Sequence, residues 1–428
     1  MILFVFLGGL AVSMLIGLPI AFSLLSTSVL MMLYMDLFDP KIIAEAMYNS
    51  ADSYPLMAIP FFLLAGELMT AGGMSKRIVN LIVALLGHVR GGLGYAAILA
   101  AVLMASLSGS AVADTAAIGA ILIPMMKSAG YDAGRSAGLV AAGGIIAPII
   151  PPSIAFIIFG VTANISVIDL FLAGITPGVM MGLWLVVAWA YLSRSAEATV
   201  TEWPGWSEAF KAVRLGFWAL MMPVIVVGGL KAAIFTPTEA SVVAVAYALI
   251  VGGVVYRELT LERIFRAFRG AIVMSSAVMF LVAAAGVTGW LITVAQIPFV
   301  LVDFLEPLLD TPRLLMLVIV ILVLLIGMVM DFVPTVLILT PVLMPLVKIA
   351  GIDPVYFGVL FVMATAVGLL TPPVGVVLNV ACGIGRLGME DGARGVMPFV
   401  VAKITLLLLL VAFPEMILTP FRWIAGGG

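Results

Sequence analysis

The chain has 428 residues, of which 64% are hydrophobic and only 10% charged, with a net charge of -2. So little charge over so much apolar sequence excludes a soluble domain, the absence of a basic tract excludes a nucleic-acid partner, and a lone His88 and a lone Cys382 leave no set for metal, thiol or disulfide chemistry. The sequence is that of an integral membrane protein whose work is done inside the bilayer.

In chain order, Ile2 opens an apolar run with neither a basic n-region nor a small-residue cleavage site, so it reads as a first retained helix and not as a signal peptide. Apolar runs between charged or turn-rich interruptions then set helices at 2–17, 20–35 and 55–72, a paired segment at 92–129, a broken helix at 133–163 and a helix at 171–193. The stretch "MSKRIVNLIVALLGHVRGG" before the paired segment is amphipathic and suits the membrane surface, with His88 at the interface beside Arg90. Residues 194–211, with Trp203 and Trp206, read as an interfacial linker between a first unit (1–193) and a second (212–428).

The second unit sets helices at 212–233, 238–256 and 270–292, a paired segment at 313–350, a broken helix at 354–385 and a helix at 397–421. Its opening "FTPTEA" reads as a turn with Thr238 capping the next helix, and "ELTLERIFRAFRG" as a second surface helix. The order repeats in register. Pro124, Lys127, Ala129, Gly130 and Asp132 return 221 positions on (345 − 124) as Pro345, Lys348, Ala350, Gly351 and Asp353. The pair Pro151-Pro152 returns at the same spacing as Pro372-Pro373, and Gly174 and Pro177 return as Gly395 and Pro398. Shared prolines and a shared K-x-A-G-x-D turn are not effects of apolar composition, so the chain reads as a repeat.

Basic residues collect on the cytoplasmic side, and Arg257, Arg263, Arg266 and Arg269 mark the clearest cytoplasmic loop. Counting outward puts both termini on the opposite face, with the base of the first paired segment inside and that of the second outside. The expected fold is therefore an all-α polytopic membrane protein. It has two inverted-topology repeats, about ten transmembrane helices, two re-entrant hairpins and two broken helices.

The first paired segment has a small, polar centre, Ser106, Ser108, Gly109, Ser110, Asp114 and Thr115, between apolar arms of about fifteen residues, each about 22 Å long at 1.5 Å per residue. Such arms fall short of a crossing and imply a hairpin with its tip inside the membrane. Gly327, Asp331, Pro334 and Thr335 stand at the matching tip. Backbone polar groups cannot face lipid, so four interruptions at membrane depth must line a protein-enclosed polar cavity. A break frees carbonyls for a cation and N–H groups for an anion, and paired prolines make it without orphaning donors.

The candidate cation ligands are thus Ser106, Ser108, Ser110, Asp114, Pro151 and Ser153, and Asp331, Thr335, Thr371, Pro372 and Gly375, with hard oxygen donors that suit sodium. Asp114 and Asp331 read equally as cation ligands or as helix caps. No arginine falls at a tip or break, so an anionic substrate would sit at the breaks beside Pro152 and Pro373, held by backbone N–H groups, by the Ser153 hydroxyl or by Asn379. Cys382 reads as a small buried hydrophobe and the 26 methionines as packing.

The segments "SGSAVADTAAIG" (108–119), "PIIPPSIAFIIFG" (148–160), "TPTEA" (236–240) and "LLTPPVGVVLNVACG" (369–383) resemble the large membrane subunit of tripartite ATP-independent periplasmic (TRAP) transporters, over essentially the whole chain. The resemblance implies an elevator-type transporter of the bacterial inner membrane, driven by a sodium gradient, with no cofactor beyond Na+ as coupling ion. It implies two partners: a small four-helix membrane subunit, and a soluble periplasmic binding protein that delivers a small organic anion such as a carboxylate or sialic acid. It places sodium at the tip from Ser106 through Gly109 to Asp114 with Pro151 to Ser153, and at the tip from Gly327 through Asp331 to Thr335 with Thr371 to Gly375. The alternatives are a stand-alone sodium- or proton-coupled carboxylate carrier, a channel, and an intramembrane enzyme. An enzyme is disfavoured because the only histidine sits by a turn, away from membrane depth.

Overall fold

The apolar runs fold as helices, the one open structure that satisfies its own backbone in lipid. A computed structural model describes residues 2–195, 203 and 205–426, and among these every regular element is helical. The first half comprises α1 (Ile2–Leu15), α2 (Ile20–Tyr34), α3 (Pro40–Ala51), a 3-10 turn leading into α4 (Ala58–Ala71), α5 (Met74–Leu86), α6 (Gly92–Ser108), α7 (Ala111–Ser128), α8 (Ala133–Gly144), α9 (Ile154–Ala163) and α10 (Val167–Leu192). The second comprises α11 (Trp206–Lys231), α12 (Pro237–Ile250) extended by a π-turn, α13 (Leu261–Val294), α14 (Ile297–Leu309), α15 (Pro312–Gly327), α16 (Phe332–Ile349), α17 (Pro354–Leu370), α18 (Val376–Gly385), α19 (Met389–Ala412) and α20 (Glu415–Ala425). Eight of the described helical stretches are long and apolar enough to cross a membrane, and shorter apolar helices supply the rest.

Several boundaries differ from the sequence expectation. The stretch "ELTLERIFRAFRG" is no separate surface helix: Thr260 caps it, its side chain accepting from Arg263 N, and it runs on as the first turns of the 34-residue α13. Helix α11 starts at Trp206, so the polar interval is shorter than expected, and much of the proposed 194–211 linker lies outside the described residues. The cap in "FTPTEA" is Thr236, not Thr238, because Pro237 takes the first helical position. Glu239 closes a capping box by accepting from Thr236 N at 2.8 Å, while Thr238 donates to the Tyr54 carbonyl at 3.1 Å. The final run is two helices, α19 and α20, interrupted at Phe413 and Pro414.

Helices α1 to α4 pack with α11 to α13 as a frame, and α6 to α10 pack with α15 to α20 as a core. At 1.5 Å per residue α13 is about 51 Å long, and it lies along α2, α3 and α4 on one side and α16 on the other. Two amphipathic helices bridge frame and core: α5 touches α11 and α6, and α14 touches α13 and α16. The first is tied to the frame by charge. Arg77 Nη1 lies 2.7 Å from Glu258 Oε1, and its guanidinium stacks 3.8 Å over the Tyr256 ring.

Within the core the halves interlock: α9 packs on α16, and α18 packs on α7. The Phe159 ring stands 5.9 Å from Phe357 and 5.5 Å from Phe361, and Ile384 reaches to 3.2 Å of where a Cβ on Gly119 would stand. Lys127 Nζ donates to the Gly385 carbonyl at 2.9 Å, placing a cation at the C-terminal end of α18, where unpaired carbonyls gather. Lys403, in the apolar α19, is 1% exposed, and its Nζ donates to the Met181 carbonyl on α10 at 3.1 Å.

Candidate functional site

Both paired segments turn back as tight hairpins. Their arms are 17, 18, 16 and 18 residues long, or about 24 to 27 Å, longer than the sequence suggested. Both Pro-Pro pairs stand where a helix stops and restarts: α8 ends at Gly144 and α9 begins at Ile154, while α17 ends at Leu370 and α18 begins at Val376. The Pro151-Pro152 and Pro372-Pro373 peptide bonds are both cis.

The first tip is organised around Ser108. Its hydroxyl donates to Asp114 Oδ1 at 2.6 Å and accepts from Ser110 N at 3.1 Å, while the Ser110 side chain caps α7 by accepting from Ala113 N. Asp114 is therefore not the cap of its helix. Its carboxylate is 2% exposed, and its second oxygen, Oδ2, has no hydrogen-bond partner; neither does the buried Thr115 Oγ1 beside it. Buried polar groups are normally satisfied, so these two bare oxygens on consecutive residues stand out.

Gly109 joins this tip to the first break. Its φ of +61° is left-handed, and a Cβ there would stand 2.6 Å from the Pro152 carbonyl oxygen and 3.4 Å from Ser153 Cα. Only glycine brings the tip so close. A Cβ on Gly144 would likewise collide with Thr115 Oγ1, so the end of α8 seats on the start of α7. Pro151, Pro152 and Ser153 are all buried, and Ser106 donates to the Leu103 carbonyl at 2.7 Å. The Ser153 hydroxyl donates to the Pro148 carbonyl and accepts from Phe156 N at 3.2 Å, which makes it the cap of α9 with its proton already engaged.

The second tip is arranged differently. Gly327 ends α15 against α17, where a Cβ would stand 3.0 Å from the Thr365 carbonyl oxygen. Asp331 is exposed and caps α16, its Oδ1 accepting from Phe332 N at 2.7 Å, and Thr335 donates to the Asp331 carbonyl at 2.8 Å. At the break, Thr371 donates to the Val367 carbonyl at 2.7 Å, and Gly375 takes φ +51° to start α18. Pro373 and Asn379 are exposed, in contrast to their buried counterparts Pro152 and Ile158.

The structure thus joins the first tip to the first break, seats the end of α15 on the last turns before the second break, and leaves only the second break open. Thr115 stands in the polar centre of the sequence, yet nothing in a one-dimensional pattern says that its hydroxyl is bare. Lys403 did carry a signal, as an ionisable residue inside a long apolar run, and sequence reasoning passed over it. His88 lies edge-on to Trp203, ring centres 4.4 Å apart, beyond the C-terminal end of α5 and away from both tips.

Compared with known proteins, residues 7–416 match the family model described as "Tripartite ATP-independent periplasmic transporter, DctM component". The chain is 53% identical over 430 residues to the 2,3-diketo-L-gulonate TRAP transporter large permease protein YiaN of Escherichia coli, covering 99% of this chain and 100% of that one. It is 35% identical to the sialic acid TRAP transporter large permease protein SiaM of Vibrio cholerae, covering 93% of each chain. Among solved structures, the YdaH transporter of Alcanivorax borkumensis shares the fold, with a TM-score of 0.61 at 14% identity over 91% of this chain and 90% of that one.

Proposed function

The chain belongs to the DctM component family of tripartite ATP-independent periplasmic transporters, and from that premise we propose that it is the large membrane subunit of a sodium-coupled, binding-protein-dependent importer of a small organic acid. The observation that carries the coupling is at the first tip: the buried Asp114 carboxylate holds Ser108 with one oxygen and keeps the other bare, on a hairpin whose Gly109 is pressed on the Pro152 carbonyl. That is an all-oxygen donor set with one negative charge, which suits a hard monovalent cation. Sodium would be held by oxygens from Ser106, Ser108, Ser110, Asp114, Pro151 and Ser153 at the first tip. At the second, Asp331, Thr335, Thr371, Pro372 and Gly375 would hold it.

The substrate would enter at the open second break, where Pro373 and Asn379 face out. The relatives named for 2,3-diketo-L-gulonate and for sialic acid both carry a carboxylate, so the substrate class is a carboxylate, sugar acids foremost. A binding protein would deliver it and a small membrane subunit would cover part of the frame. The core would slide against the frame as an elevator, the two halves being inverted in the inner membrane with both termini periplasmic, and α5 and α14 would act as the connecting arms.

The test is the thermal midpoint of the purified chain in sodium, potassium and choline chloride at matched ionic strength. Binding to the native state stabilises it by RT ln(1 + [L]/Kd), about 2.7 kcal/mol at a hundredfold excess over Kd. A sodium-specific rise is expected, and equal midpoints in the three salts count against preformed sodium sites. Uptake into vesicles that persists without a binding protein would overturn the tripartite reading.

A further inference from the structure

We propose that the base of the second hairpin holds one phospholipid with a zwitterionic headgroup, its acyl chain in an apolar cavity and its head on Arg313 and Asp353. The cavity, of about 610 Å³, lies between the start of α15, the turn before α17 and the junction of α19 with α20. Comparison with the other half at the 221-residue spacing says why it is there. At the corresponding corner of the first half, Trp189 is 2% exposed, its Nε1 donates to the Gly91 carbonyl at 2.8 Å, and its ring lies 5.7 Å from that of Tyr131. The indole lies so close over Gly94 that a Cβ there would collide with it.

In the second half Leu410 stands for Trp189, Ile352 for Tyr131 and Pro312 for Gly91. Neither aromatic has an aromatic counterpart at its own position; the aromatic in this corner is Tyr356, which lines the cavity and donates to the Leu410 carbonyl at 3.0 Å, while α10 and α19 end at nearly the same register, at Leu192 and Ala412 (412 − 221 = 191). The cavity opens at the protein surface, and its largely apolar walls gain dispersion contacts only from what fills it. In a bilayer the available filling is an acyl chain.

The polar groups at the mouth decide the headgroup. Arg313 is exposed and makes no hydrogen bond or ion pair among the described residues. Asp353 is exposed too; its Oδ1 accepts from Val355 N and Tyr356 N, both at 2.9 Å, while its other oxygen is unengaged. Both residues stand at the starts of apolar helices, level with the membrane boundary. A guanidinium binds a phosphate through its fork of donors, and the adjacent carboxylate suits an ammonium. An anionic headgroup without an amine would meet Asp353 unfavourably, so the pair favours phosphatidylethanolamine over phosphatidylglycerol.

The experiment is native mass spectrometry of the full chain released from mild detergent, before and after titration with each of these two lipids. Relative to wild type, Ile352→Tyr, which adds the first half's aromatic bulk at a residue that lines the cavity, is expected to retain one phospholipid fewer. Arg313→Gln, a change at an exposed side chain that makes no hydrogen bond or ion pair among the described residues, is expected to weaken phosphatidylethanolamine retention about tenfold while leaving the fold intact. Equal retention in Arg313→Gln, no preference between the two lipids, or a wild-type chain carrying only detergent overturns the proposal. So does a folded Ile352→Tyr variant that keeps the full lipid count.

Discussion

Replacing Gly109 by alanine tests the joint between the first tip and the first break. Two costs add there. A left-handed backbone costs an L-residue about 1 to 2 kcal/mol. The added Cβ would stand 2.6 Å from the Pro152 carbonyl oxygen, a backbone atom that cannot swing aside, and overpacking of that kind costs about 1 to 3 kcal/mol. The native tip is then disfavoured by about 2 to 5 kcal/mol against a tip that has moved off the break. If that joint forms a cation site, the apparent affinity falls in proportion to the fraction of chains still holding it, by up to about thirtyfold for a 2 kcal/mol penalty.

The control is Gly17→Ala, at a φ of +85° in the turn after α1, where a Cβ would meet nothing within 4 Å. It bears the first cost without the second and lies in the frame. The assay is sodium titration of the thermal midpoint for wild type and both variants. Gly109→Ala should need far more sodium for half of the wild-type rise, whereas Gly17→Ala should titrate as wild type does. Unchanged sodium affinity in Gly109→Ala would refute the reasoning. A loss shared equally by both variants would also refute it, by tracing the effect to general instability.

Asp331→Asn separates the two parts that this carboxylate can play. Asparagine caps a helix as well as aspartate does, so stability should hold, whereas Asp331→Ala should lose about 1 kcal/mol; a raised sodium half-saturation in the asparagine variant would place the charge near a cation, and an unchanged one would leave it as a cap alone. Lys403→Met removes a buried amine bonded, among the described residues, only to the Met181 carbonyl and keeps the volume, so the midpoint should move by the equivalent of less than about 1.5 kcal/mol. Loss of uptake at preserved stability would instead give that amine a part in transport.

Much of the fold is written locally. A proline pair removes two donors from a helix wherever it stands, so the breaks at Pro151 and Pro372 could be found from the sequence, as could the hairpins, from polar clusters between apolar arms. The 221-residue register carried these assignments from one half to the other without a gap. Local signals misled where two of them competed: Pro237 moved the cap from Thr238 to Thr236, and the polar start of α13 looked like a separate surface helix because amphipathicity does not say whether a helix goes on.

What the sequence by itself determined is where this chain must bend and break, because caps, missing N–H groups and positive-φ glycines act on their immediate neighbours. Only the tertiary structure decided what meets at those places: Gly109 on the Pro152 carbonyl, Asp114 with one oxygen bare, the first break closed and the second open, and a corner filled by Trp189 in one half but hollow in the other. Those outcomes depend on shape and volume at contacts between residues far apart in the chain. A repeat conserved in register can therefore differ between its halves in what it encloses.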